Sequence, residues 1–168
     1  VGSPTITETL LGKTFHIGPK SFFQTNTHGA EKLYSLVRNA VKKPGGTLLD
    51  LYAGTGTIGI LLSDLFSKTY SVEIVAEASA DAKKNALLNG VENFEAIAQP
   101  VEVFLEEFIA KNGQADTLVI DPPRDGMHPS APKNILAFGA REILYVSCNP
   151  ATLARDLEHL LGTGVYQL

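Results

Sequence analysis

Short apolar runs alternate with longer amphipathic stretches along most of the chain. The runs predict β-strands at residues 47–52, 69–74, 94–98, 116–121 and 142–147, with residues 165–168 as the start of a sixth strand that is cut short. The stretches between them predict helices at 58–67, 76–89, 101–111 and 152–161, with a loop and short helix over 129–138. Repeated β–α units imply an α/β fold with a doubly wound, mostly parallel sheet and right-handed crossovers.

The N-terminal quarter has a different pattern. Residues 5–17 alternate weakly around a central glycine and predict a short hairpin. Asn26 then precedes an apolar stripe of helical period, which predicts a helix over 28–43. We therefore expect a hairpin-and-helix extension over residues 1–45, followed by one compact domain over 46–168.

The overall composition is that of an ordinary globular domain, with 44% hydrophobic and 19% charged residues. A net charge of −4 gives no sign of a nucleic-acid-binding surface, so an RNA substrate would need a local basic patch or another domain. No apolar run approaches the roughly 20 residues that a membrane span needs. The single cysteine cannot form an internal disulfide, which fits a reducing compartment. We expect a cytoplasmic protein without a membrane partner.

A glycine-rich loop follows the first of the parallel strands. Gly54, Gly56 and Gly59 have the G-x-G-x-x-G spacing of nucleotide-binding loops. Glycine tolerates positive φ and lets a ligand approach the backbone, and the following helix is expected to present unpaired N–H groups there. Glu73 ends the next strand about 20 residues on, where a carboxylate can accept ribose hydroxyls. A tight turn with a solvent-facing glutamate is the alternative, but two features in the right order favour a nucleotide-like ligand.

Two further segments lie at predicted strand ends, where ligands of such sheets bind. Asp121-Pro122-Pro123-Arg124 has two prolines that stiffen the loop and hold Asp121 at the mouth of the site, although a plain strand exit would look the same. Ser147-Cys148-Asn149-Pro150 places a cysteine before a helix. Most lone cysteines are small buried hydrophobes, but a thiol at a helix N-terminus can be a nucleophile, and its position favours that role for Cys148.

The remaining candidates are weaker. Gln24 lies in a polar and aromatic stretch before the first helix, where it could be only a neighbour of the helix cap. The four histidines show no zinc-ligand spacing, so we expect no metal: His16, His28, His128 and His159. Arg124 is a candidate phosphate contact, whereas Arg155 is expected in a surface ion pair.

Together these segments resemble the S-adenosylmethionine-dependent RNA uracil-5-methyltransferases, which act on tRNA and ribosomal RNA. The resemblance runs from about Thr14 to the end of the chain and rests on residues 21–26, 50–57, 72–73, 121–124 and 147–156. The last segment is the most specific, since the glycine loop fits most methyltransferases. The resemblance implies a Rossmann-like class I methyltransferase fold, S-adenosylmethionine as the cofactor, and a tRNA or rRNA substrate.

The resemblance also implies roles for particular residues. Cofactor contacts would come from Gln24, Tyr52, Gly54, Gly56, Thr57, Glu73 and Asp121. Glu73 would take the ribose hydroxyls, and Cys148 and Asp121 would be the catalytic pair. A nucleophile is needed because C5 of uracil is too electron-poor to accept a methyl group directly. Addition of the Cys148 thiolate at C6 makes C5 nucleophilic, which splits one difficult step into easier ones.

The sequence departs from this family in two places. The general base of the family is a glutamate after the last strand, and no residue up to Leu168 matches it. The N-terminal RNA-binding β-barrel of the family is also without a counterpart. The sequence is therefore expected to be the catalytic domain of a longer protein, which binds the cofactor but turns over poorly alone.

Three other functions compete with this one. A methyltransferase acting on an exocyclic base nitrogen also carries Asp-Pro-Pro after this strand, but its chemistry needs no cysteine. A non-catalytic cofactor-binding or RNA-binding module would be consistent with a sequence in which no residue matches the general base. A nicotinamide dehydrogenase shares the glycine loop but gives no role to the segments around Asp121 and Cys148.

Overall fold

The structure is a computed structural model that describes residues 5–168, apart from the side chain of residue 112. The strands are β1 (Ile6–Leu10), β2 (Lys13–Ile17), β3 (Thr47–Leu51), β4 (Lys68–Glu73), β5 (Phe94–Ala98), β6 (Thr117–Ile120) and β7 (Glu142–Tyr145). The helices are α1 (Thr27–Ala40), α2 (Thr57–Leu62), α3 (Ala76–Leu88), α4 (Val101–Asn112), α5 (Ala131–Phe138) and α6 (Pro150–Leu161). A single 3-10 turn, Ser63–Leu65, follows α2.

Strands β3 to β7 form one parallel sheet in the order β5-β4-β3-β6-β7. The chain builds outward from β3 in one direction through β4 and β5, then returns to the other side of β3 with β6 and β7. The strand order therefore reverses between β3 and β6, which is where such sheets bind ligands. This is the doubly wound parallel sheet that the alternation of apolar runs predicted, and β1 and β2 form the predicted antiparallel hairpin.

The sheet separates two apolar cores. Successive strand residues point to opposite faces, so β3 sends Leu48 to one core and Leu49 and Leu51 to the other. The first core contains residues of β1, β2, α1, α2 and α3, and the second contains residues of α4, α5 and α6. Because both faces are covered, all four residues of β6 are buried, as expected for a central parallel strand.

The hairpin is held against the α/β unit by two asparagines, Asn85 of α3 and Asn89 at the C-terminal cap of that helix. Asn85 accepts from the His16 N–H (2.8 Å) and donates to the His16 carbonyl (3.1 Å). Asn89 does the same with Thr14, at 2.9 and 2.7 Å. These side chains form hydrogen bonds with backbone groups on the free edge of β2 that would otherwise pair with another strand. The domain boundary between residues 45 and 46 stays a prediction.

The predicted strand at residues 165–168 is wrong. The chain turns after α6, and residues 165–168 form no ladder with β7. Val165 and Leu168 stay exposed, so the segment gains little from burial. Tyr166 instead donates its hydroxyl to the Ala140 carbonyl at 2.9 Å.

Three helix ends also differ from the prediction. Helix α1 ends at Ala40 because the next backbone turns extended and the Lys42 N–H binds the Glu142 carboxylate (2.9 Å). Helix α2 stops at Leu62, and the Asn93 amide binds the freed carbonyls after it. Helix α6 begins two residues early, because proline is favoured in the first helical turn. No helix of residues 5–168 is long and apolar enough to cross a membrane.

Candidate active site

The carboxyl ends of four strands meet at one edge of the sheet. Three backbone hydrogen bonds continue the ladders past the strands: Ala53 N–H to Val72 O (3.0 Å), Asp121 N–H to Leu51 O (3.3 Å) and Val146 N–H to Ile120 O (2.8 Å). Glu73 is the last residue of β4, and Cys148 lies two residues beyond Val146. The sheet therefore brings the predicted residues Tyr52, Glu73, Asp121 and Cys148 to the same edge.

The glycine loop has the backbone geometry that its sequence predicts. Gly54 and Gly56 have φ values of 54° and 73°. Tyr52 also has a positive φ, 62°, which is unusual for a residue with a side chain. Leaving out the chain neighbours, a Cβ added to Gly54 would be in van der Waals contact with one atom of the described residues, the Phe22 carbonyl oxygen at 3.8 Å. A Cβ on Gly56 would lie 2.9 Å from the Ala82 Cβ, so Gly56 is needed for packing as well.

Three N–H groups of the glycine loop are used inside the protein, so only part of the loop can present unpaired N–H groups outward, as the sequence led us to expect. Gly54 donates to Glu73 Oε2 (2.8 Å), Gly56 to the Ala53 carbonyl (2.8 Å), and Gly59 to Asp50 Oδ2 (2.9 Å). Thr57 is buried as well, and its hydroxyl lies 3.0 Å from the hydroxyl of Thr55. These bonds fix the shape of the loop.

Two backbone donors orient the Glu73 carboxylate. Oε2 accepts the Gly54 N–H, and Oε1 accepts the Val75 N–H at 2.8 Å. Each carboxylate oxygen has two acceptor positions, so one remains on each oxygen. Ile74, the next residue, is 68% exposed and places an apolar surface beside the carboxylate. This arrangement can accept two hydroxyls next to an apolar ring.

Asp50 is a further acidic residue of the site that the sequence reasoning did not single out. It is 1% exposed, and its Oδ2 accepts from the Gly59 N–H and the Ser71 hydroxyl, each at 2.9 Å. Oδ1 is buried and has no hydrogen-bond partner among the described residues. Burial raises the pKa of Asp50 to about 7, against the two hydrogen bonds that lower it. The available signal was a lone carboxylate inside the apolar strand β3, which must find partners when buried.

Asp121 is partly buried beside β3. Burial raises the pKa of Asp121 to about 6. Tyr34 of α1 is buried nearby, and its pKa is raised by burial first and then by the charges of Asp121 and Asp50. Because the Glu73 and Asp121 carboxylates both lie at this edge, the site favours a cationic ligand.

The stretch that contains Gln24 lies over the glycine loop. The Asp81 carboxylate holds its start, accepting from the Ser21 hydroxyl (2.9 Å) and the Gly18 N–H (3.2 Å). The Phe22 carbonyl then approaches Gly54, while the Phe22 side chain is 74% exposed. Gln24 follows two residues later and is partly buried. The structure thus brings the Gln24 segment to the loop, as its predicted role requires.

Cys148 is an exposed free thiol immediately before α6. The Ser147 hydroxyl accepts the Asn149 N–H at 3.1 Å, which tightens the turn around the cysteine. Asn149 caps α6 by accepting from the Ala151 N–H (3.1 Å) and donates its amide to the Arg124 carbonyl (3.1 Å). The cysteine therefore lies at the edge and helix end that its sequence position predicted.

The described residues hold no group of three or more histidine, cysteine, aspartate or glutamate side chains that could bind a metal ion. The predicted ion pair of Arg155 is present, and its partner is the buried Asp156 (2.8 Å).

Comparisons with known proteins agree with this geometry. The profile of the tRNA (uracil-5-)-methyltransferase family matches residues 10–166. An uncharacterized RNA methyltransferase of Caldanaerobacter subterraneus is 46% identical over 97% of the chain, and one of Clostridium tetani is 44% identical over 97%. The chain spans about a third of the length of these relatives, 36% and 35%.

A solved structure is similar over nearly the whole chain. It is the Pyrococcus abyssi tRNA (uracil-54, C5)-methyltransferase in complex with S-adenosyl-L-homocysteine, with 35% identity and a TM-score of 0.79. The match covers 96% of this chain and 39% of that one. With the family profile matching almost all of the sequence, this chain belongs to the tRNA (uracil-5-)-methyltransferase family.

Proposed function

We propose that the protein transfers a methyl group from S-adenosylmethionine to C5 of a uridine in tRNA or rRNA, through a covalent bond between Cys148 and C6 of the base. The observation that carries this proposal is the placement of an exposed cysteine and an oriented glutamate, Glu73, at the same edge of the sheet. Membership of the family supports the reaction type.

The residues at the edge fit the proposed cofactor. Glu73 retains one acceptor position on each oxygen for the two ribose hydroxyls, and Ile74 offers an apolar surface for the base. Gly54 has no side chain, which lets a ligand approach its backbone. Asp121 and its carboxylate neighbours suit the positive charges of the cofactor. Gln24, in the stretch that lies over the glycine loop, would contact the cofactor from that side of the loop.

Other predicted contacts act indirectly. The Thr57 hydroxyl is paired with that of Thr55, and the Tyr52 hydroxyl is buried away from solvent. Gly56 packs against α3. We therefore assign Tyr52, Gly56 and Thr57 to shaping the loop.

The chemistry begins at Cys148. Its thiolate adds to C6 of the uracil, forming a C–S bond and moving an electron pair onto C5. When bound, S-adenosylmethionine supplies an activated methyl group for this carbon. A base then removes the C5 proton, and the electron pair expels the thiolate and restores the ring double bond. Because Cys148 is exposed, the uracil ring can reach its thiol. A uridine that is stacked in the RNA must first be flipped out of the stack.

The test is the reaction of the Cys148→Ala variant with a pool of unmodified tRNA and rRNA transcripts, read as 5-methyluridine by mass spectrometry of nucleosides. We expect loss of product by at least about a thousandfold, because the variant has no nucleophile for C6. Ser67→Ala, a serine distant from this edge, is the matched control. An alanine variant that still methylates a base nitrogen would favour the nitrogen chemistry instead, and one that still forms 5-methyluridine would refute the mechanism.

A further inference from the structure

A buried carboxylate outside the proposed contacts joins three elements around the site. Asp156 of α6 is 1% exposed and accepts four hydrogen bonds. Its Oδ2 accepts from the Met127 N–H (2.9 Å) and the Tyr145 hydroxyl (2.6 Å). Its Oδ1 accepts from Nε and Nη2 of Arg155, at 2.9 and 2.8 Å. The donors come from the loop after β6, from the end of β7, and from α6 itself.

The carboxylate is held in its charged form. Burial by itself would raise the pKa of Asp156, but the bonds from Met127, Tyr145 and Arg155 outweigh it and lower the pKa. The pKa of Tyr145 is raised, first by burial and then by its hydrogen bond to Asp156. A charged acceptor bound to a neutral hydroxyl makes a strong hydrogen bond, consistent with the short 2.6 Å distance.

The loop after β6 is tied to the same helix at two further points. Asn149 and Thr152 donate their side chains to the Arg124 carbonyl, at 3.1 and 3.3 Å. Arg155 donates to the Asp125 carbonyl at 3.0 Å. The residues that follow Asp121 are therefore fastened to the start of α6, immediately after Cys148.

Gly126 shows how closely the loop lies on the helix. Its φ is 83°, a conformation that favours glycine. A Cβ at this position would overlap the Arg155 guanidinium, and would lie 2.8 Å from the Asp156 carboxylate and 3.1 Å from the Thr152 Cβ. The backbone of the loop therefore contacts the helix with no room for a side chain.

We propose that Asp156 is a positioning residue for methyl transfer. It joins two segments to α6: the loop that begins at Asp121 and the strand that leads to Cys148. Asp156 thereby fixes the position of the Asp121 carboxylate relative to the Cys148 thiol. The proposal rests on the proposed function, because it assigns Asp156 a role in that same site. Glu73 and Gly54 lie on the other side of the strand reversal and, among the described residues, share no hydrogen bond with the groups bound to Asp156. Tyr52, which precedes the glycine loop, packs against the same core as Tyr145.

The proposal predicts that a substitution at Asp156 slows methyl transfer without weakening the binding of S-adenosylmethionine. In Asp156→Asn an amide NH₂ group replaces one carboxylate oxygen. This donor then faces another donor, either the Arg155 guanidinium or the Met127 N–H, so the hydrogen bond at that position is lost. We expect the single-turnover rate of uridine methylation to fall about tenfold to a hundredfold, the cost of a small misplacement of reacting groups. The dissociation constant for S-adenosylmethionine should change less than about threefold, since Glu73 and Gly54 are untouched and the Asp121 backbone is still held by its hydrogen bond to the Leu51 carbonyl (3.3 Å).

The experiment compares Asp156→Asn, Tyr145→Phe and the double variant with the parent protein. The matched control is Asp64→Asn, which breaks the ion pair with Arg38 (2.6 Å) away from this edge. Each protein is measured by thermal unfolding, by calorimetric titration with S-adenosylmethionine, and by single-turnover methylation of the transcript pool. The alkylation rate of Cys148 by iodoacetamide is measured as well, because it needs neither cofactor nor RNA.

The proposal is supported if Asp156→Asn lowers the rate and alters Cys148 alkylation while cofactor affinity stays within threefold, and if the double variant is no slower than Asp156→Asn. It is overturned if cofactor affinity falls in proportion to the rate, or if the rate loss only matches that of a control with equal thermal destabilisation. If Asp156→Asn does not fold, Tyr145→Phe must show the same separation for the proposal to stand. A parent that binds S-adenosylmethionine but forms neither 5-methyluridine nor a covalent adduct between Cys148 and the transcripts overturns the proposed function for this chain, and the proposal then falls with it unless alkylation responds to Asp156 alone.

Discussion

Glu73 illustrates how a single residue can be prepared for a ligand before the ligand arrives. Its two oxygens are each held by one backbone N–H, from Gly54 and Val75, so the side chain does not have to be ordered on binding. Avoiding that ordering cost favours affinity. The bond from the Gly54 N–H accounts for an acceptor at position 73, whereas glycine at position 54 is favoured by its φ of 54°.

Replacing Glu73 should weaken cofactor binding more than it weakens the fold. Glu73→Ala removes both acceptors for the ribose hydroxyls, and we expect the affinity for S-adenosylmethionine to fall by about tenfold to a hundredfold, the usual cost of losing hydrogen bonds to a charged group. Isothermal titration calorimetry measures this directly. Glu77→Ala, four residues on and paired with Lys20 on the surface, is the control. Equal affinity of the two variants would contradict the assignment of Glu73.

At the scale of single residues, the sequence predicts features that depend on local chemistry and misses roles that depend on partners distant in the chain. The positive φ of Gly54 and Gly56 follows from their own chemistry and their place in the loop. The roles of Asp50 and Asp156 depend on partners 21 and 29 residues away, Ser71 and Met127. No local pattern identifies such a partner. The N–H groups of Gly54 and Gly59 do not point outward unpaired, because their acceptors, Glu73 and Asp50, lie 19 and 9 residues away.

The elements follow the periodicity of the sequence closely, because burial on both sheet faces imposes it. Their ends were predicted less well. Helix α2 ends where the Asn93 side chain binds the carbonyls of Ser63 and Phe66, a contact across about 30 residues. The strand predicted at 165–168 has an apolar composition, but the segment forms no ladder with β7, and Val165 and Leu168 stay exposed. Tertiary contacts, which periodicity does not report, determine these boundaries.

Asp50 joins three of these elements, since it lies in β3 and binds Ser71 of β4 and Gly59 of α2. Its folded pKa of about 7 is above the roughly 3.9 of an unfolded aspartate. The folded state therefore keeps a proton that the unfolded state has released. The contribution of this group to stability is fully present below about pH 4 and is lost as the pH rises towards about 7.

The variant Asp50→Asn should flatten this dependence. We expect its free energy of unfolding to change less between pH 4.5 and 7.5 than that of the parent, by on the order of 1 kcal/mol per pH unit. Denaturant unfolding at several pH values measures the slope. Asp64→Asn serves as the control, because Arg38 lowers the pKa of Asp64 and leaves it ionised over this range. An Asp50→Asn slope equal to that of the parent would show that Asp50 does not titrate in this window.

Across the whole molecule, the reversal of strand order divides the edge of the sheet into two parts. The β3–β4 side carries Gly54 and Glu73, and the β6–β7 side carries Asp121 and Cys148. We propose that the first part holds the cofactor and the second performs the chemistry on the base. The net charge of −4 gives the molecule no general attraction for RNA. The relatives are nearly three times as long, so RNA recognition is proposed to involve segments beyond this match.

The covalent step is tested most directly by trapping it. The protein is incubated with S-adenosylmethionine and tRNA and rRNA transcripts that contain 5-fluorouridine, in which fluorine replaces the C5 proton. Fluorine cannot be removed as a proton, so the thiolate cannot leave and the adduct should accumulate. We predict a methylated RNA–protein adduct that maps to Cys148 by peptide mass spectrometry and is absent from Cys148→Ala. Methylation of ordinary uridine without any such adduct, or an adduct that persists in Cys148→Ala, would contradict the account.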